Sequence, residues 1–201
     1  MKILSPVSED AVIAEFLLAE IDSPRFRDGI IAALGSHAES VITNPDVGRE
    51  DENQIRREIL GLTRGYGCNQ DLFERFPDDV QWYRVVMSKP ELSRVEYIHY
   101  SYWNELSNGT RLPSRASKMI RDDTEIFGVS NQGFLDIFNA IRNGKTFPRL
   151  LLVSCNEHAR VVVLEGHARI TAYFIDDDWV PDELEVLIGY SEKFIEWDLY
   201  G

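Results

Sequence analysis

The sequence predicts an α+β protein: a small mixed β-sheet with flanking helices in its last third, and a mainly helical N-terminal half packed with it as one unit. Two observations carry this. Apolar residues recur at 3.6-residue spacing through most of residues 1–123, and β-branched runs replace that pattern near Leu150. No Gly/Ser linker separates the halves, so residues 1–123 and 124–201 are expected to share a core.

The first helix follows the cap-like, acidic Ser8-Glu9-Asp10 and carries Val12, Ile13, Phe16, Leu17 and Ile21. A second starts near Pro24, with Phe26, Ile30, Ile31 and Leu34 before Gly35. Residues 44–52 read as a polar loop. A third helix holds Ile55, Ile59, Leu60 and Leu62 and ends at Gly65-Tyr66-Gly67. Trp82 to Met87 fits a strand or a helix equally. From Pro90, the residues Leu92, Val95, Ile98, Tyr102 and Leu106 describe one face of a long helix, closed by Asn108-Gly109. Arg111, Arg115, Lys118 and Arg121 then share a face if helical, either as a solvated surface or as a ligand patch.

In the last third, Asn131 to Asn143 is a helix with Phe134, Ile137, Phe138 and Ile141 inward and Gly144 as its left-handed stop. Leu150-Leu151-Leu152-Val153 and Arg160-Val161-Val162-Val163-Leu164 read as strands joined by a hairpin at Asn156 and Glu157. Gly166 precedes a helix through Ile170 and Tyr173 that stops at Asp176-Asp177-Asp178. A last strand covers Leu184 to Ile188, and a terminal helix carries Phe194, Ile195 and Trp197.

Composition bounds the function classes. Of 201 residues, 44% are hydrophobic and 27% charged, which excludes a disordered chain. The net charge of −13 counts against a surface built to grip nucleic acid. No apolar run of about 18 residues is present to span a membrane. Cys68 and Cys155 suggest reduced thiols in a cytoplasmic setting, and the four histidines, at 37, 99, 158 and 167, offer no metal spacing.

The chemistry concentrates at Glu165-Gly166-His167-Ala168-Arg169. A strand, a Gly turn and a helix follow one another there, so the N–H groups of His167, Ala168 and Arg169 are free to meet an anion. Gly166 admits close approach, Arg169 offers a planar fork, and Glu165 or His167 can act as general base if burial tunes its pKa. Arg169 can equally pair with Glu165 or with the Asp176 to Asp178 run.

The ordered set Asn143-Gly144, Pro148, the strand Val161–Leu164 and Gly166-x-x-Arg169-x-x-Ala172 resembles the ParB-like and sulfiredoxin-like superfamily, over residues 129–188. The resemblance implies a small mixed sheet and a Gly-x-x-Arg turn that contacts nucleotide phosphates. Gly166, His167, Ala168 and Arg169 would then bind phosphate, with Glu165 and His167 as catalytic candidates. The expected ligand is a nucleoside triphosphate with Mg²⁺ or another small phosphorylated molecule, in a phosphoryl-transfer or nucleotide-hydrolysing activity. His167 and Ala168 stand where sulfiredoxin carries Cys and His, so reduction of sulfinic acid is not implied. The alternative is a non-catalytic interaction module that meets a protein partner through its helical half. In that case Tyr97, Tyr100, Tyr102 and Trp103 form either an exposed hot spot or the packing between the halves.

Overall fold

A computed structural model describes all residues, Met1–Gly201. It is an α+β fold with nine α-helices and one mixed five-stranded sheet. The strands are β1 (Lys2–Pro6), β2 (Gln81–Ser88), β3 (Leu151–Ser154), β4 (Val162–Glu165) and β5 (Glu183–Tyr190), in the order β1-β2-β5-β3-β4. β5 joins the two ends of the chain: it pairs antiparallel with β2 from Gln81↔Tyr190 to Ser88↔Glu183, and parallel with β3 from Leu151↔Leu187 to Ser154↔Tyr190. Two strands therefore come from residues 1–123 and three from residues 124–201.

The helices lie on both faces of this sheet. On one face are α1 (Glu9–Glu20), α2 (Arg27–Leu34), α3 (Ser40–Thr43) and α4 (Glu50–Arg64), packed with Leu151, Val153, Val162, Leu164 and Leu187. The other face packs Leu152, Val163, Val186 and Ile188 against α5 (Lys89–Leu92), α7 (Pro113–Arg121), α8 (Gln132–Arg142) and α9 (His167–Tyr173). Alternation along β3 sends successive side chains to opposite cores, and both cores are apolar, so β3 reads as one continuous apolar run.

Local chemistry accounts for the element ends. The Ser8 hydroxyl accepts the Ala11 N–H at 3.3 Å and caps α1. Val12, Ile13, Phe16, Leu17 and Ile21 are all buried. α4 ends at Gly65, whose φ of 81° and whose contact with the Gln70 backbone leave no room for a side chain.

One open reading is resolved and two expectations change. Trp82 to Met87 is strand, the central partner of β5. The long helix from Pro90 to Leu106 is two short ones, α5 and α6 (Ser101–Leu106). The chain between them runs extended beside β4: Glu96 N–H donates to Val161 O at 2.9 Å, and Glu96 O accepts from Val163 N–H at 2.8 Å. Covering the outer edge of β4 satisfies its backbone, and this outweighs the helical spacing of Leu92, Val95 and Ile98. The terminal segment is a 3₁₀ turn, Glu192–Glu196, with Phe194 and Trp197 buried and Ile195 exposed. No helix is long and apolar enough to cross a membrane.

Candidate functional site

β4 delivers the chain to Gly166, which caps α9 with φ 103° and ψ 19°. A Cβ there would lie 2.5 Å from Leu150 Cδ2 and 3.0 Å from an Arg169 guanidinium nitrogen. Glycine is thus required twice, by backbone conformation and by space. The first helical bond is Ile170 N–H to Gly166 O at 2.9 Å. The N–H groups of His167, Ala168 and Arg169 precede it and donate to no protein acceptor.

Arg169 is buried, and its guanidinium turns inward. It donates to the carbonyls of Pro148 and, at 3.3 Å, Arg149, and pairs with Glu165. Burial lowers its pKa to about 10. Of the two pairings open to it, Arg169 takes Glu165 and not the Asp176 to Asp178 run. The fork expected to hold phosphate instead ties the turn to the entry of β3, and Glu165 is occupied by the same bond.

His167 lies in an aromatic stack. Its ring is 5.0 Å from Trp103 and 6.0 Å from Tyr97, near parallel to both. A hydrogen-bonded chain backs it: the Tyr97 and Thr171 hydroxyls are 2.5 Å apart, and Thr171 Oγ1 donates to His167 O at 2.6 Å. Burial, with Arg64 as the second cause, pushes the imidazole down to about 3. It is therefore neutral at physiological pH and a poor general base there. Its Nε2 is shielded from solvent and has no hydrogen-bond partner. Tyr97 and Trp103 thus serve packing, while Tyr100 is exposed.

Two site residues escape the sequence reading. Glu20, at the end of α1, is 2% exposed, and its Oε2 is buried without a partner. Its Oε1 lies 3.3 Å from Arg64 Nε, at the end of α4. Desolvation raises the Glu20 carboxyl to about 7 against the opposing pull of Arg64, Arg25 and Arg169. A signal was present: Glu20 falls four residues after Phe16 and three after Leu17, on the buried stripe of α1, where a charge needs a reason. Arg64 likewise follows the buried Leu60 by one helical turn.

Several other cations are committed elsewhere. Arg111 precedes α7 and donates to Tyr97 O and Tyr200 O, Arg121 donates to Ile175 O at 2.7 Å, and Arg115 and Lys118 are exposed. Arg149 bonds Glu185 at 2.6 Å and Glu15 at 3.2 Å. No three His, Cys, Asp or Glu side chains stand together to hold a metal. Comparison with protein-family models, curated proteins and solved structures gives no match.

Proposed function

We propose that the chain binds a small phosphorylated molecule, a nucleotide among the candidates, at the Gly166–Arg169 turn. The phosphate oxygens accept from the N–H groups of His167, Ala168 and Arg169. The observation that carries this reading is the division of labour in the turn: three backbone donors without acceptors, on a loop that Gly166 and the inward-facing Arg169 hold fixed. Preorganised backbone donors suit phosphate because they need no reordering on binding. Arg169 is a positioning residue in this account, and Glu165 its partner. A neutral His167 and an occupied Glu165 favour binding over catalysis by either residue. Two free cysteines, Cys68 and Cys155, suit a reducing, cytoplasmic setting.

Calorimetric titration of inorganic phosphate, ATP and CTP tests the reading. Saturable binding of at least one, at sub-millimolar Kd, is expected. No heat from any of them at millimolar ligand would contradict it.

One observation favours the second reading, a protein-interaction module. A groove of about 500 Å³ runs along α4, lined by Arg57, Gly61, Leu62, Tyr66 and Cys68, and Leu62 is 77% exposed. An apolar residue this exposed beside a concavity is the kind of feature a partner covers. Retention of a partner by wild type and its loss with Leu62→Glu would support this reading.

A further inference from the structure

α4 packs Ile55, Ile59 and Leu60 with the core and leaves a second stripe outside it. Gln54, Arg57, Glu58, Gly61 and Leu62 follow one another along that stripe at helical spacing, and together they line the groove of about 500 Å³. Gly61 is its floor. A Cβ there would stand 3.1 Å from Tyr66 O and 3.7 Å from Cys68 Sγ. Glycine weakens a helix interior. Here it lets the chain after α4 fold back beside the helix, so that Tyr66, Gly67 and Cys68 close the end of the groove. Leu62 stands next to this floor and is 77% exposed. One exposed leucine is ordinary on a protein surface, but a leucine on the wall of a preformed concavity is a seat for another apolar side chain.

The charges around the groove have one dominant sign. Arg57 is the one cation in its lining, held between Asp10 at 2.6 Å and Glu50 at 2.7 Å. Glu58 accepts from the neutral Gln54 amide at 2.9 Å and keeps its charge. Three carboxylates therefore surround one guanidinium. The wider surface agrees: residues 1–80, which hold α1 to α4, carry 16 acidic and 8 basic side chains, and no lysine occurs between Lys2 and Lys89. Such a surface repels nucleic acid and anionic lipid and draws Lys and Arg toward it.

We propose that the groove receives a basic amphipathic helix of a protein partner. Its apolar stripe seats on Gly61 and Leu62, and the Lys and Arg residues flanking that stripe face Glu58, Glu50 and Asp10. The proposal rests on the interaction-module reading of this groove and adds the chemistry of the partner. A helix suits the shape. The lining from Gln54 to Leu62 rises about 12 Å, roughly two helical turns, enough to meet apolar residues at i, i+3 or i+4, and i+7 of a helix laid along it. The bare Gly61 lets a second backbone come close.

Cys68 is the reporter, because its exposed thiol lines the groove, while Cys155 lies half-buried after β3. Alkylation of each cysteine by iodoacetamide is followed by mass spectrometry on the full chain. Three helical peptides of about 14 residues, four turns, are compared: an amphipathic Leu/Lys peptide, the same pattern with Glu for Lys, and the same pattern with Ser for Leu. The Leu/Lys peptide should slow alkylation of Cys68 about tenfold and leave Cys155 unchanged, and the other two should protect neither. Its apparent Kd should rise about tenfold in Leu62→Ala and about fivefold in Glu58→Lys. It should stay within about twofold in Asp122→Lys, which makes the same charge change on α7, across the sheet from α4. Thermal melting confirms that each variant folds. Equal protection by the Ser/Lys peptide, or equal weakening by Asp122→Lys and Glu58→Lys, would mean that the net charge alone draws the peptide, and overturns the proposal. Protection by the Leu/Glu peptide in place of the Leu/Lys one overturns the basic partner and leaves the interaction reading standing. No protection of Cys68 by any peptide removes the groove from that reading, and this inference with it.

Discussion

Two arginines, the buried Arg169 and the partly buried Arg64, each stand beside a carboxylate, and their surroundings differ in kind. Arg169 has its carboxylate partner and two carbonyls, and the whole set closes on itself. Arg64 has a carboxylate beside it too, but its Nε completes no bond, and Glu20 Oε2 has no partner. A closed network stabilises a conformation, whereas an open one carries a standing cost that folding alone does not recover. The contrast assigns Arg169 to the architecture of the turn, while the Glu20–Arg64 pair leaves part of its bonding capacity unmet. Arg111 supports the same division. It bonds Tyr97 O and Tyr200 O, and it holds the segment after α6 against the chain end.

The largest expected effect comes from opening the closed network. Arg169→Ala strands the Glu165 carboxylate and the Pro148 carbonyl in a part-buried site, at a cost of about 3–5 kcal/mol. Urea unfolding measures it, and a loss below about 1 kcal/mol would mean that Arg169 does not hold the turn.

The open network should respond in the opposite direction. Folded Glu20 keeps its proton to about pH 7, while an unperturbed carboxyl releases it near 4.5. Between those values the folded state binds more protons than the unfolded state. Stability therefore falls as pH rises from about 4.5, and the full loss, about 3 kcal/mol, is in place above pH 7. Glu20→Gln removes this dependence. Its melting temperature should match wild type near pH 4.5 and exceed it at pH 8. Parallel curves over that range would show that Glu20 is not desolvated in solution.

A smaller effect sharpens the role of Gly166. Gly166→Ala places a Cβ against Leu150 and forces a non-glycine residue to φ near 103°, costing about 2 kcal/mol. Phosphate affinity should fall with it, because the N–H groups of His167 to Arg169 are aimed by that conformation. Stability lost with affinity intact would separate the turn from the ligand.

The sequence carried much of the fold through local signals. Ser8 and Gly35 bracket helices, and Val161 to Leu164 is a β-branched run whose strand survives as Val162–Glu165. Gly144, at φ 81°, stops α8 where the left-handed signal placed it. What was lost needed distant partners. Residues 94–99 carry helical spacing, but the segment runs extended and Glu96 bridges to β4, and Trp82 to Met87 becomes a strand only because β5 lies about 100 residues on. At the site, the Gly turn and its free N–H groups followed from strand-then-helix order alone. The inward path of Arg169 depended on Pro148 O, 21 residues away in sequence. Glu20 and Arg64 meet across 44 residues, and each taken singly reads as a charged helix end.

Backbone amides report the central claim most directly. In ¹H–¹⁵N correlation spectra of the full chain, titration with inorganic phosphate and then ATP should shift the His167, Ala168 and Arg169 amides saturably. Unmoved amides at 167–169, or shifts confined to the exposed arginines of α7 and to Arg160, would contradict the account.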